Sequence, residues 1–427
     1  MRLVLIDGEH YPDVIRWALE KVGACCAVFV GGMEKIGGIE DIERVLGIPV
    51  YHDRDYLRAI ERAVRENGVT EVIDLSDDPV LTPEDRFRIA SLLLRMGVVY
   101  KGADFEFRPK EWKRLDIPSL AVIGTGKRVG KTAVSGFIAR TLKELYRVVV
   151  VTMGRGGPEK PELIRGDEMK ITPEFLLEVA EKGRHAASDH FEDALMAGVP
   201  TVGCRRCGGG LAGFSFLDIV EEGIRVAKTL NPQLIILEGS GGTFPNVMAD
   251  AFIVVVSALQ GVESVKSYFG PFRISLADLV VITIADAVPK EKLEELKGVI
   301  GRINPQADVH LTRFTPRLIG KVEGRAVVIT TSPRAAERVA KELGERGIEI
   351  VGWSGSLANR AQLRKEMMDF PQYETVIVEL KAAAVDVVVR EVLRAGKKVV
   401  FLDNEPVNMD GKDLAGAVRE LARRVVG

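Results

Sequence analysis

Gly124-Thr-Gly-Lys-Arg-Val-Gly-Lys-Thr132 follows directly on the apolar run Leu120-Ala-Val-Ile123. Its Gly-Lys-Thr end is that of a phosphate-binding loop of the Walker A type. Glycine there lets the backbone wrap closely, so that N–H groups point at phosphate oxygens and the next helix adds its N-terminal dipole. A helix is expected after the loop, because Val134, Ile138, Leu142 and Leu145 fall on one face. Gly124, Thr125, Gly126, Lys127, Arg128, Val129, Gly130, Lys131 and Thr132 are thus the candidate nucleotide-binding residues. Lys131 is expected to reach the β- and γ-phosphates and Thr132 to ligate Mg²⁺. The loop departs from the strict pattern in one place: the pattern puts glycine at 125, and here Thr125 follows Gly124.

Outward from this loop, apolar runs alternate with helical stretches, the signature of an α/β protein with a parallel sheet. Strands are expected at Val148 to Val151, Thr201-Val-Gly-Cys204, Leu234-Ile-Ile-Leu237, Phe252 to Val256 and Leu279 to Thr283. Upstream, Leu3-Val-Leu-Ile6, Cys26-Ala-Val-Phe-Val30 and Val72-Ile-Asp-Leu75 make a smaller Rossmann-like unit. Downstream, Ala326 to Ile329, Ile348 to Val351, Val376-Ile-Val378 and Val399-Val-Phe-Leu402 alternate with helices. The fold class read from this is α/β: a P-loop NTPase-type parallel sheet with an N-terminal Rossmann-like domain and a C-terminal α/β extension. The boundaries expected are 1–115, 116–320 and 321–427, the last either a separate domain or continuous with the P-loop domain.

The 427 residues suit two or three domains. Hydrophobic content of 46% and a net charge of −2 exclude a mostly disordered chain and argue against a general nucleic-acid coat. Asp7, Glu9 and His10 stand where a secretory signal would need an apolar core, and four cysteines do not make a disulfide framework. A cytoplasmic protein without membrane or nucleic-acid partners is expected, with a homodimer the commonest oligomer for such a chain. Gln (five) and Asn (seven) are scarce beside Glu, Arg, Lys and Val, a thermophile's bias.

Basic and glycine-rich clusters follow predicted strands, the edge where open α/β sheets bind ligands. Lys127 and Arg128 lie in the loop, Gly154-Arg-Gly-Gly157 follows the next strand, and Cys204-Arg-Arg-Cys-Gly-Gly-Gly210 the one after. Lys127, Arg128, Arg155, Arg205 and Arg206 would meet near the γ-phosphate and hold a second polyanion. Lys131, Lys127, Arg128 and Arg155 are the candidate catalytic residues. Cys204 and Cys207 read either as half a metal or redox pair or as thiols within an anion loop. Asp189 and His190, in Ser188-Asp-His-Phe-Glu-Asp193, read either as a second Mg²⁺ ligand and a phosphate contact or as a capped helix start. Lys381, at a strand end, and His10, in the loop Asp7-Gly-Glu-His10, are further candidates for the substrate. No Asn-Lys-x-Asp stretch that would read guanine occurs, which favours ATP.

Gly-Thr-x-x-x-Val-Gly-Lys-Thr resembles the loop of dethiobiotin synthetase and related P-loop ligases, as does Leu237-Glu-Gly-Ser-Gly-Gly-Thr243. That second likeness implies that Glu238 helps to bind Mg²⁺ beside Thr132. The whole chain resembles the archaeal cyclic 2,3-diphosphoglycerate synthetase family. The likeness is carried by Leu5-Ile-Asp-Gly-Glu-His-Tyr-Pro12, Tyr100-Lys-Gly-Ala-Asp-Phe105, Gly124 to Thr132 and Glu379-Leu-Lys-Ala-Ala-Ala-Val-Asp386. It implies an ATP- and Mg²⁺-dependent cytoplasmic ligase that closes an intramolecular phosphoanhydride in 2,3-diphosphoglycerate. The rival readings are a P-loop ligase activating another carboxylate or phosphate substrate, and a regulatory or metallochaperone NTPase.

Overall fold

The computed structural model describes residues 1–36 and 39–427. The chain forms two compact units. One comprises Met1–Glu111, Val262–Leu276 and Arg302–Asn304; the other comprises Trp112–Gly261, Ala277–Gly301 and Pro305–Gly427.

The N-terminal unit carries strands β1 (Arg2–Ile6), β2 (Cys26–Phe29), β3 (Val50–Tyr51), β4 (Glu71–Asp74), β5 (Val99–Lys101) and β6 (Glu106–Phe107). Their order is β3-β2-β1-β4-β5-β6, parallel except for β6. This is the Rossmann-like order, with its switch point between β1 and β4. The charged loop after β1 closes that point. Asp7 is fully buried; its Oδ1 accepts from the Glu9 amide (3.1 Å), and its Oδ2 accepts from the Asp77 amide (2.6 Å). The segment Val262–Leu276 lies far along the chain, and its apolar run carried no sign of joining this unit. It contributes Phe269, whose ring lies 5.3 Å from Phe87 and 5.1 Å from Phe107.

The larger unit begins with β7 (Lys113–Arg114), β8 (Ser119–Gly124), β9 (Val148–Gly154), β10 (Glu162–Arg165), β11 (Pro200–Gly209), β12 (Ser215–Asp218) and β13 (Leu234–Glu238). It continues with β14 (Val247–Met248), β15 (Ala251–Ser257), β16 (Leu279–Thr283), β17 (Asp308–Ile319), β18 (Ala326–Ile329), β19 (Ile350–Ser354), β20 (Thr375–Glu379) and β21 (Lys398–Asn408). Apart from the small β14–β7 pair, they build one sheet in the order β10-β11-β9-β13-β8-β15-β16-β17-β21-β20-β18-β19, with β12 on β11. The central strands are buried along their whole length, as parallel strands covered on both faces must be. The twelve-residue strand β17 joins two halves. Its start pairs parallel with β16, and Thr312–Ile319 pairs antiparallel with β21, so residues beyond 320 extend the P-loop sheet.

The α/β class and the P-loop sheet expected from the sequence are therefore the observed ones. One element differs locally. Cys204-Arg-Arg-Cys, expected in a loop, lies within β11, because the β11–β12 hairpin extends the strand past the sheet edge. Cys204 is buried, Cys207 is exposed, and both are free thiols. Three residues apart on an extended strand they stand about 10 Å apart, beyond disulfide reach.

Candidate active site

The phosphate loop is set by sterics. Gly124 ends β8, and a Cβ there would stand 2.8 Å from Val129 Cγ2 and 3.2 Å from the Gly241 carbonyl oxygen. Thr125 is not among the residues with φ in the left-handed region, and its amide donates to the Val255 carbonyl (3.1 Å). The glycine is thus required at 124 and not at 125, which accounts for the departure from the strict pattern. Gly130 has φ +84° and sits at the N-cap of the helix Lys131–Lys143. Thr283 Oγ1 donates to the Val129 carbonyl at 2.7 Å and pins the loop from β16. Thr283→Val is expected to weaken nucleotide binding about fivefold, near the ~1 kcal/mol of one buried hydrogen bond, with an unchanged fold in circular dichroism; titration calorimetry checks it.

Lys131, largely buried, donates from Nζ to Glu238 Oε1 at the tip of β13. Burial would raise the fully buried Glu238 carboxyl, but the Lys131 charge and hydrogen bonds from Asp193, Lys131 and Thr132 outweigh it and hold the group below the usual range. Asp193 shows the opposite: burial and then the Glu238 charge push it well above the usual range. The Asp193 carboxyl and Glu238 Oε2 are buried, and apart from the hydrogen bond the two share and the Thr132 contact they have no other partner among the described residues. The Glu238 carboxylate beside the Thr132 hydroxyl offers hard oxygen donors that fit Mg²⁺.

The helix Asp189–Ala197 supplies the next wall. Ser188 is its N-cap, but its hydroxyl does not cap; it meets His190 Nδ1 at 3.0 Å. Asp189 is raised, by burial first; Lys131 opposes and Glu238 adds to the rise. Its Oδ2 lies 3.2 Å from where a Gly154 Cβ would be. Glu192 is pushed up to about 8 by burial, with the Lys381 charge opposing. Lys381 Nζ lies 3.4 Å from Glu192 Oε1, and that carboxylate raises the lysine against its own burial. His190 is held down to about 4 by burial, and its Nε2 meets Glu162 Oε2 at 3.2 Å. Both of its ring nitrogens are engaged, so it is a neutral wall rather than a cation for phosphate.

A cavity of about 230 Å³ opens beyond the ends of β9 and β11, with Arg155, His185, Asp189, His190 and Ser240 in its lining. Arg206, largely buried, donates from Nη2 to the Ser240 carbonyl (3.0 Å) and has a buried Nε without a partner. Burial, then the nearby Arg155 charge, lowers its pKa. Arg205 is exposed, and its Nε donates to the Gly157 carbonyl (3.0 Å), bracing the Arg155 loop. Lys127 and Arg128 are exposed on the phosphate loop, Lys127 with its carbonyl held by Gln260 Nε2 (3.0 Å). The structure thus gathers Lys131, Thr132, Glu238 and Asp189 into one cluster and sets Lys381 beside it through Glu192. His10 lies in the N-terminal unit, where Nδ1 meets Asp7 Oδ1 at 2.7 Å and Nε2 lies 3.5 Å from Asp77.

The sequence reading missed Glu192, Asp193, His185 and Ser240. A signal existed for two of them: Asp189, Glu192 and Asp193 stand at i, i+3 and i+4, one face of a helix.

Three family models match in succession: the N-terminal domain of cyclic 2,3-diphosphoglycerate synthetase over residues 2–108, its P-loop domain over 119–313 and its C-terminal domain over 318–405. A cyclic 2,3-diphosphoglycerate synthetase of Pyrococcus abyssi (strain GE5 / Orsay) is 68% identical over 426 residues, covering 100% of this chain and 99% of its own. One of Pyrococcus furiosus (strain ATCC 43587 / DSM 3638 / JCM 8422 / Vc1) is 65% identical, with the same coverage. Among solved structures, the "apo" form of LpxK from Aquifex aeolicus in complex with ATP aligns with a TM-score of 0.43 and 14% identity, over 74% of this chain and 91% of that one. No helix among the described residues is long and apolar enough to cross a membrane.

Proposed function

Because this chain belongs to the cyclic 2,3-diphosphoglycerate synthetase family, we propose that the cluster around Lys131 brings ATP and 2,3-diphosphoglycerate together for ring closure. The chain is an enzyme, and its activity is that of the family: formation of cyclic 2,3-diphosphoglycerate, driven by a nucleotide on the P-loop domain. We assign ATP and Mg²⁺ as its nucleotide and ion, and the cytoplasm as its place of work.

In this reading the loop amides of Gly124 to Thr132 take the phosphates, and Lys131 leaves Glu238 for the β- and γ-phosphates. Lys127 and Arg128 cover the triphosphate from outside. Thr132 and Glu238, with Asp189 at the cavity edge, would hold Mg²⁺. When bound, that ion neutralises charge on the β- and γ-phosphate oxygens. Arg155 and Arg206 orient the substrate phosphates in the cavity, and Lys381 adds charge beside Glu192. A substrate phosphate oxygen bonds to the γ-phosphorus, the β,γ-bridging bond breaks, and ADP leaves. The other substrate phosphate then attacks the substrate phosphorus that carries the added phosphoryl. That bond breaks, inorganic phosphate departs with the electron pair, and the ring closes. Both nucleophiles are already ionised, so the chain supplies position and countercharge rather than a strong base.

The observation that carries the reading is the cavity with Arg155 and Asp189 in its wall, where the Asp189 carboxylate feels both Lys131 and Glu238. Phosphorus NMR tests it. With Mg-ATP and 2,3-diphosphoglycerate, a new pyrophosphate-like signal should grow in step with ADP. ATP loss that ignores the added acid would overturn the assignment. Arg206→Ala is expected to weaken the acid at least about tenfold while ATP binding changes less than about threefold, since a phosphate–guanidinium pair is lost on one side only. Calorimetry with each ligand separately checks it, and equal losses would place no substrate at Arg206.

A further inference from the structure

The cavity beside Arg155 has a neighbour that the proposed reaction does not yet use. A second cavity, of about 290 Å³, adjoins it, and both have His185 and Ala187 in their walls. The exposed His185 ring is the partition: a Cβ on Gly156 would stand 2.9 Å from its Cδ2, so the imidazole lies against the Arg155 loop. Small side chains such as Ala186 and Ala382 leave the second space open, and Arg184, Arg360 and Asp386 line it with charge. Arg360 holds Asp386 Oδ2 through Nε at 2.9 Å, and among the described residues its terminal nitrogens have no hydrogen-bond partner. Arg184 pairs with Glu162 through Nη2. A guanidinium has several N–H donors, so pairing through one nitrogen holds the fork in place and leaves others for an anion. The backbone of the wall is unusual as well. Ala382 has φ +48°, a left-handed conformation rare for alanine, and Val385 and Asp386 lie on a π-helical turn, Ala384–Val389. Such geometry persists only where the surrounding structure enforces it, and here it shapes the cavity.

We propose that this second cavity seats the carboxylate of the substrate, with Arg360 and Arg184 as its donors and His185 dividing it from the phosphates. The proposal rests on the reading of the first cavity as the phosphate site and adds a subsite to it. Ring closure requires both phosphates of 2,3-diphosphoglycerate to meet where the γ-phosphate arrives, so both belong in the cavity with Arg155. The remaining anionic group, the carboxylate, takes no part in the bonds that form and break. It hangs from a carbon that bears one of the phosphates, so its seat must open directly onto theirs, as this cavity does. A guanidinium fork matches a carboxylate bidentately. Fixing that group also fixes the rotation of the three-carbon chain, which brings the two phosphates together before chemistry.

Calorimetry of the full-length protein with two probes tests it: 2,3-diphosphoglycerate, and propane-1,2-diol bisphosphate, which has both phosphates and no carboxylate. Wild type should bind the first at least about tenfold more tightly, the scale of one charge-assisted pair. Arg360→Gln and Arg184→Gln should each weaken 2,3-diphosphoglycerate at least about fivefold and the bisphosphate less than about twofold. Arg206→Ala should weaken both probes. Thermal melting identifies any variant that fails to fold. Equal affinity of wild type for the two probes overturns the proposal without any variant. If Arg206→Ala weakens both probes while neither glutamine variant changes either, the carboxylate seat falls and the phosphate site stands. Glutamine variants that weaken both probes alike would put a phosphate in the second cavity and overturn the carboxylate assignment. If wild type binds neither probe, the phosphate site falls with it.

Discussion

Replacing Lys131 by alanine is expected to lower ATP-dependent product formation by at least about 10³-fold, the scale of losing a preorganised charge at a phosphoryl-transfer centre. The loss should appear in kcat as well as in nucleotide affinity, because the ammonium is needed most as charge develops on the transferred phosphoryl group. The same change has a second consequence that an exposed lysine would not have. Glu238 is fully buried, and Lys131 is its salt-bridge partner. Removing one partner of a buried pair costs about 3 kcal/mol. Lys131→Ala should therefore melt earlier than wild type, and the double variant Lys131→Ala/Glu238→Gln should recover most of that stability without recovering activity. Paired measurements of product by phosphorus NMR and of melting by calorimetry check both halves. Near-normal turnover in the single variant would remove Lys131 from the chemistry.

The second large effect is expected at Gly130. A Cβ there would lie 2.4 Å from Phe314 Cζ, and φ is +84°, so a side chain meets both a ring and a strained backbone. Gly130→Ala must shift the turn that presents the loop amides. A displacement near 1 Å at such a site costs on the order of a hundredfold, and ATP affinity should fall by at least that much. Thr125→Gly, which restores the strict motif, is expected to change ATP affinity by less than about threefold, because Thr125 already has an ordinary backbone conformation. Calorimetric titration of the two variants separates them. Comparable losses would mean that the steric account of the loop is wrong.

Phe314 belongs to β17, the strand that carries the sheet from the P-loop half into the C-terminal half. The same junction holds a second tie. Arg140, on the helix behind the phosphate loop, donates to Asp403 Oδ2 at 3.0 Å, and Arg317 donates to that oxygen at 2.8 Å. These side chains come from residues 140, 317 and 403, and no periodicity in the sequence relates them. They hold the phosphate loop's helix against the strands that follow residue 310.

Motif and periodicity were enough to determine the α/β class, the phosphate loop with Lys131 and Thr132, and the strand that ends in Glu238. Each of these is a local property: glycine spacing, an apolar run and a helical stripe lie within some fifteen residues. The placement of Val262–Leu276 in the N-terminal unit, the passage of β11 through Cys204-Arg-Arg-Cys, and the convergence of Asp193 on Glu238 were decided only in the folded chain. The reason is the same in each case. Which strand a segment pairs with, and which carboxylate a helix face meets, depend on contacts between residues tens to hundreds of positions apart. No local pattern encodes their distance, their burial or the charge they share.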